Sequence, residues 1–386
     1  MHRPTEIAYA SLYSGKFVVW GVALPFFSGW LALKGFSPPQ IGLITGAALG
    51  LRLALGPFVA WWADRRADPR EGLRLVAFLF AAAGLILAFA PAKPAIVAAS
   101  ILLLWSFGVL IPLTDSAVLA ADRRGLLNYG QIRAIGSFAF LATTILGGEA
   151  LTRFGLELGV AIMAAAGVAT LVAALLAPDP GRREGPANSP REAARLVAEP
   201  AFLIALLAAG LTQGAHAVYY AFSILDWTAQ GLTPRAIGLL WATGVVAEIV
   251  LLTRARALLK RFRADRLIAI GAAGAAARWA LTALEPPLAG LFLVQTLHAL
   301  TFGATYIGTI EFIDRAAPKR LVNTAMTLHS TTGVGALTGL ATIAAGYVYA
   351  AAGAGAAYVL MAGMSLVAFG LALALGRLWR GEPLAA

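Results

Sequence analysis

Twelve apolar stretches of roughly 20 residues or more, divided by short polar gaps, constrain this chain more than any other feature. They run over 8–32, 39–62, 73–91, 95–120, 129–151, 156–177, 201–227, 235–254, 265–284, 288–312, 321–349 and 355–377. A helix needs about 20 apolar residues to cross roughly 30 Å of hydrocarbon, so each stretch suits one crossing. The expected fold is therefore an all-α membrane protein with twelve transmembrane helices in two six-helix bundles. The longest gap, 178–200, is rich in Pro, Gly, Arg and Glu and reads as a solvated cytoplasmic linker. It divides the chain into an N-terminal half, 1–177, and a C-terminal half, 201–386. The first stretch contains Pro25 and lacks a short apolar core ending in a small-residue cleavage site, so it reads as a retained helix.

Composition agrees with this map. Hydrophobic residues make up 60% and charged residues 13% of 386 positions, against roughly 45–50% and about 25% in soluble domains. That excludes a soluble multidomain protein and a disordered chain. With no cysteine, thiolate catalysis, iron–sulfur clusters and Cys-ligated zinc are excluded as well. The net charge of +11 would suggest nucleic acid in a soluble protein. Here its placement explains it. With the N-terminus in the cytoplasm, 22 of the 30 Lys and Arg fall on the cytoplasmic side; Lys34, Lys93, Arg153 and Arg235 fall opposite. The positive-inside rule places both termini inside, and a missed crossing would scramble the sides after it. No nucleic-acid partner is expected.

Residues 34–44 read KGFSPPQIGLI and residues 230–240 read QGLTPRAIGLL, an offset of 196. Both join the first and second helix of a half. At the same offset Arg52 maps onto Glu248 and Asp115 onto Glu311. A weak repeat between two six-helix halves, which makes the bundles pseudo-symmetric, is the sequence trace of a two-fold transporter.

Charges inside the spans cost about 2.5–3.5 kcal/mol each at mid-bilayer and normally face the bundle interior or water. Lys16, Arg52, Arg133 and Arg278 stand against Asp115 and Glu248, a surplus that favours an anionic solute. The plain alternative for each is an ion pair that only holds helices together. Asp115 and Arg133 lie at similar depth, where pairing is expected. Arg133, Gly136, Ser137, Phe140, Thr144 and Gly147 share one stripe, suited to a close helix contact or to a cavity wall. On the seventh stretch Gln213, His216 and Tyr220 form a polar stripe. On the tenth, Gln295, His298, Thr305 and Thr309 fall within one arc of about 80°. The four His show no metal-binding spacing, so no metal is expected. Gly15-Lys16 lacks the earlier glycine of a phosphate loop, so transport would draw on an ion gradient and no cofactor is expected. Nothing points to an enzyme.

Trp61-Trp62-Ala63-Asp64-Arg65-Arg66, after the second stretch, resembles in part the loop signature of the major facilitator superfamily, and would place Asp64 and Arg65 at an inner gate. Tyr129-Gly130-Gln131-Ile132-Arg133-Ala134-Ile135-Gly136-Ser137 is similar to the fifth-helix entry of its oligosaccharide/proton symporter branch, typified by lactose permease. Gln213 to Ser223 and Gln295 to Gly303 are closer to the phenylpropionate permease group. The resemblance covers essentially the whole chain and implies the major facilitator fold. In the symporter branch an acidic residue and an arginine on the fourth and fifth helices bind the sugar, and Asp115 and Arg133 match them. A Glu, an Arg and a His act on the eighth, ninth and tenth helices, and Glu248, Arg278 and His298 match these. The branch's proton-carrying Glu is replaced by Thr301, and a Lys three residues before the His by Gln295. That particular coupling residue is therefore absent.

The reading is proton-coupled uptake of a small organic anion, an aromatic carboxylate such as phenylpropionate, through a bacterial inner membrane. Lys16, Arg52, Asp115, Arg133, Gln213, His216, Tyr220 and His298 are expected to face substrate, with Glu248, Arg278 and His298 coupling the proton. The alternatives are a sugar or nucleoside symporter, an exporter, or a non-transporting receptor or assembly factor on a transporter fold. Apart from solute and bilayer, no obligate protein partner is expected.

Overall fold

The computed structural model describes residues 3–64, 68, 70–89, 92–179 and 190–384. All regular structure among them is helical. The first six stretches form α1 (Arg3–Leu33), α2 (Pro38–Asp64), α3 (Glu71–Phe89), α4 (Lys93–Arg123), α5 (Tyr129–Phe154) and α6 (Glu157–Leu176). Inside the expected linker, α7 (Pro190–Ala198) forms and buries Leu196. The seventh stretch is two helices, α8 (Pro200–Gly214) and α9 (Ala217–Ala229), followed by α10 (Pro234–Thr253), the short polar α11 (Ala255–Arg261) and α12 (Ala264–Ala283). The tenth runs from α13 (Leu288–Thr296) through a π-helical turn, Ala299–Ala304, into α14 (Thr305–Ala316). The last two comprise α15 (Val322–Leu328), a π-helical stretch His329–Ala336, and α16 (Leu337–Leu378).

Over the described residues all twelve stretches thus run mainly on helix. Among the described residues nine runs are long and apolar enough to cross a membrane, one of them the 60-residue run Lys319–Leu378. The 42 residues of α16 would span about 63 Å if straight, twice the hydrocarbon thickness. Gly353, at φ 82° and ψ 179°, breaks the helix between the eleventh and twelfth stretches. The two stretches outside the nine runs, α2 and α12, carry Arg52 and Arg278 at mid-helix.

The repeat read from the sequence has matching backbone hydrogen bonds. Gly35 (φ 75°) donates to Ala32 O at 2.9 Å and Phe36 to Leu31 O at 3.1 Å. At offset 196, Gly231 (φ 85°) donates to Thr228 O at 3.0 Å and Leu232 to Trp227 O at 2.9 Å. Each pair closes a helix end through a left-handed glycine, and Pro38 or Pro234 opens the next helix where its missing N–H costs nothing.

The chain packs as two compact units, Met1–Gly185 with Ser223–Leu239, and Pro186–Phe222 with Leu240–Ala386. In the first, α1 packs on α5 and α6, and α4 on α2 and α3. The α5 stripe is a close helix contact. A Cβ on Gly136 would lie 2.8 Å from Phe17 and 2.9 Å from Tyr13, and Thr144 Oγ1 donates to Gly21 O at 3.1 Å. In the second, α12 packs on α16 and α14, and α8 on α16. Its core joins Phe202, Phe312 and Trp379 with alanines of α8 and α14.

Candidate functional site

In the first unit, α1 carries Tyr13, Lys16, Phe17 and Trp20 on neighbouring turns, and the α1–α5 contact holds them in place. Lys16 is fully buried, and its ammonium donates no hydrogen bond. It lies 3.9 Å from the centroid of the Tyr13 ring and 5.5 Å from that of Phe17. The Arg133 guanidinium faces the same Phe17 ring at 5.0 Å. Trp20 stacks on Phe107 of α4 at 4.0 Å, and Phe107 meets Phe17 edge-on at 6.1 Å. The Tyr13 hydroxyl donates to Asp115.

Asp115 and Arg133 are therefore brought to one cluster, but the ion pair expected between them does not form. Tyr13, from a third helix, takes the carboxylate, and Arg133 faces an aromatic ring. Similar depth left the neighbouring α1 out of the comparison. The Arg52 side chain lies across Gly108 of α4.

In the second unit the polar stripes converge on Arg278, which is fully buried. Its Nη1 lies 2.8 Å from His298 Nδ1 and donates to Thr301 Oγ1 at 3.2 Å, and its Nη2 donates to Gln295 Oε1 at 2.7 Å. The guanidinium also lies 4.7 Å from the ring centroid of Tyr219 and 4.5 Å from that of Trp279. Arginine only donates, so His298 Nδ1 must accept, and the proton of the neutral ring sits on Nε2. That nitrogen faces Glu248 Oε2 at 3.4 Å. Glu248 and Arg278 are thus linked by a bridge: carboxylate, imidazole, guanidinium.

His216 fixes the other side. Its Nδ1 lies 3.1 Å from the carbonyls of both Thr212 and Gln213, so it carries the proton. Its Nε2 then accepts from the Thr301 hydroxyl at 3.0 Å. The seventh stretch breaks between Gly214 and Ala217, and the His216 ring bonds two carbonyls just before that break, Gln213 O also accepting from His216 N at 3.1 Å. Gln213 enters through its main-chain carbonyl, and its side chain takes no part in the chain of bonds. Tyr220 stacks on His216 at 5.4 Å, and Tyr219 on Trp241 at 4.1 Å.

The π-helical turn at Ala299–Ala304 re-aims the tenth stretch. Gln295, His298 and Thr301 meet Arg278, whereas Thr305 packs against Gly271 of α12 and Thr309 bonds its own helix at Thr305 O. The expected arc of Gln295, His298, Thr305 and Thr309 is corrected accordingly. Glu311 forms an ion pair with Arg315, one turn on. Tyr13 and Trp279 had no place in the expected site, and Thr301 entered it only as the position of a missing carboxylate; Tyr13, one turn before Lys16, carried a usable signal. Arg65 and the side chain of Asp64 lie outside the described residues. Beside them Asp68 accepts from Arg70 Nε at 2.8 Å and from Arg74 Nη1 at 3.2 Å, and these guanidinium groups hold its carboxyl down at about 2.

Residues 7–360 match the model of the MFS_1 like family. Over 369 residues the chain is 32% identical to the "Probable 3-phenylpropionic acid transporter" of Escherichia coli (strain K12), covering 92% of this chain and 93% of that one. It is 27% identical over 359 residues to the maltose permease of Geobacillus stearothermophilus, covering 89% and 87%. Among solved structures, a mutant of the nucleoside transporter NupG superposes with a TM-score of 0.81, covering 97% of this chain and all of that one (100%), at 17% identity. At that identity the likeness is one of fold.

Proposed function

The chain belongs to the MFS_1 like family and is a multi-pass membrane transporter with the major facilitator fold, and on that premise we propose that it takes up a small aromatic carboxylate together with a proton. The reading places it in a bacterial inner membrane with both termini cytoplasmic, as the distribution of Lys and Arg favours.

The observation that carries the substrate class is Lys16. Burying an ammonium costs several kcal/mol. Two aromatic faces return about 2 kcal/mol each or somewhat more when desolvated, and among the described residues the Asp115 carboxylate nearby is bonded to Tyr13. An anion that brings acceptors of its own would meet the remaining demand. A carboxylate fits three ammonium donors, with Arg133 beside them, and the Tyr13, Phe17, Trp20 and Phe107 rings suit a flat aryl group. The similarity to a protein named for 3-phenylpropionic acid supports the same class. Glu248 is the proposed proton carrier, with His298 between it and Arg278.

The test is uptake of labelled 3-phenylpropionate into proteoliposomes, acid outside, with protein-free liposomes correcting for diffusion of the neutral acid. Accumulation abolished by a protonophore, and lost in Lys16→Met, is expected. Uptake of maltose, or of a nucleoside, in place of the acid would refute the substrate class. Acid uptake indifferent to the pH gradient would refute the coupling.

A further inference from the structure

A second cluster of cations lies at the end of the second unit, far along the sequence from Arg278. The loop between α11 and α12, the last turn of α14 and the segment after α16 enclose a cavity of about 160 Å³. Its walls carry Lys260, Arg261, Arg263, Arg315 and Arg380 against the single carboxylate of Glu311. Two of these cations are already satisfied. Arg315 pairs with Glu311, and Arg263 Nε bonds Asp265 at 2.9 Å while its Nη2 donates to Trp379 O at 2.6 Å. Among the described residues the side chains of Lys260, Arg261 and Arg380 pair with no carboxylate, while the main-chain N–H of Arg380 donates to the Glu382 carboxylate at 3.1 Å.

The cavity is built rather than incidental. Trp379 is buried against Phe312 at 4.8 Å, and its Nε1 donates to Glu382 O at 2.7 Å. Leu384 N donates to Ala316 O at 2.8 Å, which ties the segment after α16 across the end of α14. The site also sits where apolar surface gives way to charge. α16 ends at Leu378, 54% exposed, with Leu373 48% exposed one turn and a half earlier, and the cations begin within two residues. Its volume is well below the roughly 300–1,000 Å³ of pockets that enclose a drug-sized solute. A small doubly substituted anion anchored from outside fits better than a transported molecule.

We propose that this cavity binds the headgroup of an anionic phospholipid of the cytoplasmic leaflet. Its phosphodiester lies on Arg261 and Arg380, and its acyl chains run in the bilayer beside Leu378. Three cations whose side chains meet no carboxylate, beside an exposed apolar helix end, are the combination that holds such a lipid. The proposal rests on the orientation proposed above, with α16 ending at the cytoplasmic face, and is independent of which solute the protein carries.

The test uses the purified full chain in detergent. Its melting temperature is followed while phosphatidylglycerol, phosphatidylcholine or inorganic phosphate is added. Phosphatidylglycerol should stabilise the protein, and the other two should not. In R261Q/R380Q the concentration needed should rise about fivefold for each cation removed. The control R123Q/R195Q, which loses equal charge from exposed positions elsewhere, should titrate like the parent. Lys260→Gln alone should shift the midpoint by about fivefold, a second reading should the double variant be unstable. An unchanged titration of R261Q/R380Q and Lys260→Gln would overturn the proposal, as would equal stabilisation by inorganic phosphate, which would mark a site for free anions.

Discussion

Replacing Thr301 by valine removes one hydroxyl without changing the shape of the side chain, and the structure says what that hydroxyl does. It accepts from Arg278 Nη1 and donates to His216 Nε2, and all three groups are buried. A hydrogen bond to a charged group contributes about 1.5–3 kcal/mol, and a buried acceptor left without a donor costs about 1–3 kcal/mol. The two share one oxygen and do not add fully, so Thr301→Val should destabilise the protein by roughly 2–4 kcal/mol. Thr309 provides the internal control. Its hydroxyl donates only to Thr305 O, at 2.7 Å, within its own helix. Thr309→Val should cost no more than about 1 kcal/mol.

Unfolding by SDS in mixed micelles reads the difference. Thr301→Ser, which restores the hydroxyl, should return to within about 1 kcal/mol of the parent, the deficit being one buried methyl. His216→Phe should cost less in the Thr301→Val background than in the parent, because its nitrogen has already lost its donor there. If Thr301→Val and Thr309→Val unfold within about 0.5 kcal/mol of each other, the hydroxyl is not holding Arg278 and His216 together, and the assigned ring tautomers lose their support.

Glu248→Gln mimics the protonated carboxyl opposite His298 Nε2, so counterflow exchange of substrate should persist while accumulation driven by a pH gradient is lost; accumulation with an unchanged pH dependence would move coupling to Asp115. The depressed Asp68 carboxyl contributes stability above the ordinary carboxylate range and loses it as pH falls through about 2. Asp68→Asn should therefore lower the melting temperature equally at pH 5.5 and 8, by the equivalent of about 1 kcal/mol or less, and a deficit that changes between those values would contradict the assignment. A Cβ on Gly271 would run into Thr305, with the Thr305 nitrogen at 3.0 Å, whereas one on Gly363 meets nothing within 4 Å. Gly271→Ala should cost about 1–3 kcal/mol, and Gly363→Ala should be neutral or stabilising by up to about 1 kcal/mol; equal melting temperatures would count against this packing of α12 on α14.

The fold was legible because the bilayer leaves one solution for runs of about 20 apolar residues, and because Gly35 and Gly231 sit in corresponding turns. The candidate site was legible in its residue types and less so in its partners. Hydrophobic periodicity fixes a residue's face and depth. It does not say whether Asp115 meets Arg133 on α5 or Tyr13 on α1, because that depends on which helix comes closer. The break at His216 and the π-helical turn at Ala299–Ala304 leave no mark on composition. Each is a local departure from the 3.6-residue period, and each decides which side chains reach Arg278. Reading the seventh and tenth stretches as uniform helices therefore put Thr305 and Thr309 on the arc of Gln295 and His298, from which the π-helical turn removes them.

The departures from the symporter pattern acquire a physical sense in this arrangement. Thr301 and Gln295 stand where the branch carries a carboxylate and an ammonium, so replacing both leaves the charge of the cluster unchanged. It does change what surrounds Arg278. Two neutral oxygens, one imidazole nitrogen and two aromatic faces now hold the guanidinium, and no carboxylate touches it among the described residues. A carboxylate bonded directly to an arginine stays ionised and carries protons poorly. Glu248 is separated from the guanidinium by the width of an imidazole, and its carboxylate lies 3.4 Å from His298 Nε2, whose proton sits there while the other ring nitrogen accepts from Arg278. Moving Arg278 would release that tautomer and alter the proton affinity of Glu248 with no change in its own position. In the proposed mechanism the proton site has shifted from the Thr301 position to the far side of His298, and the arginine acts on it through the ring.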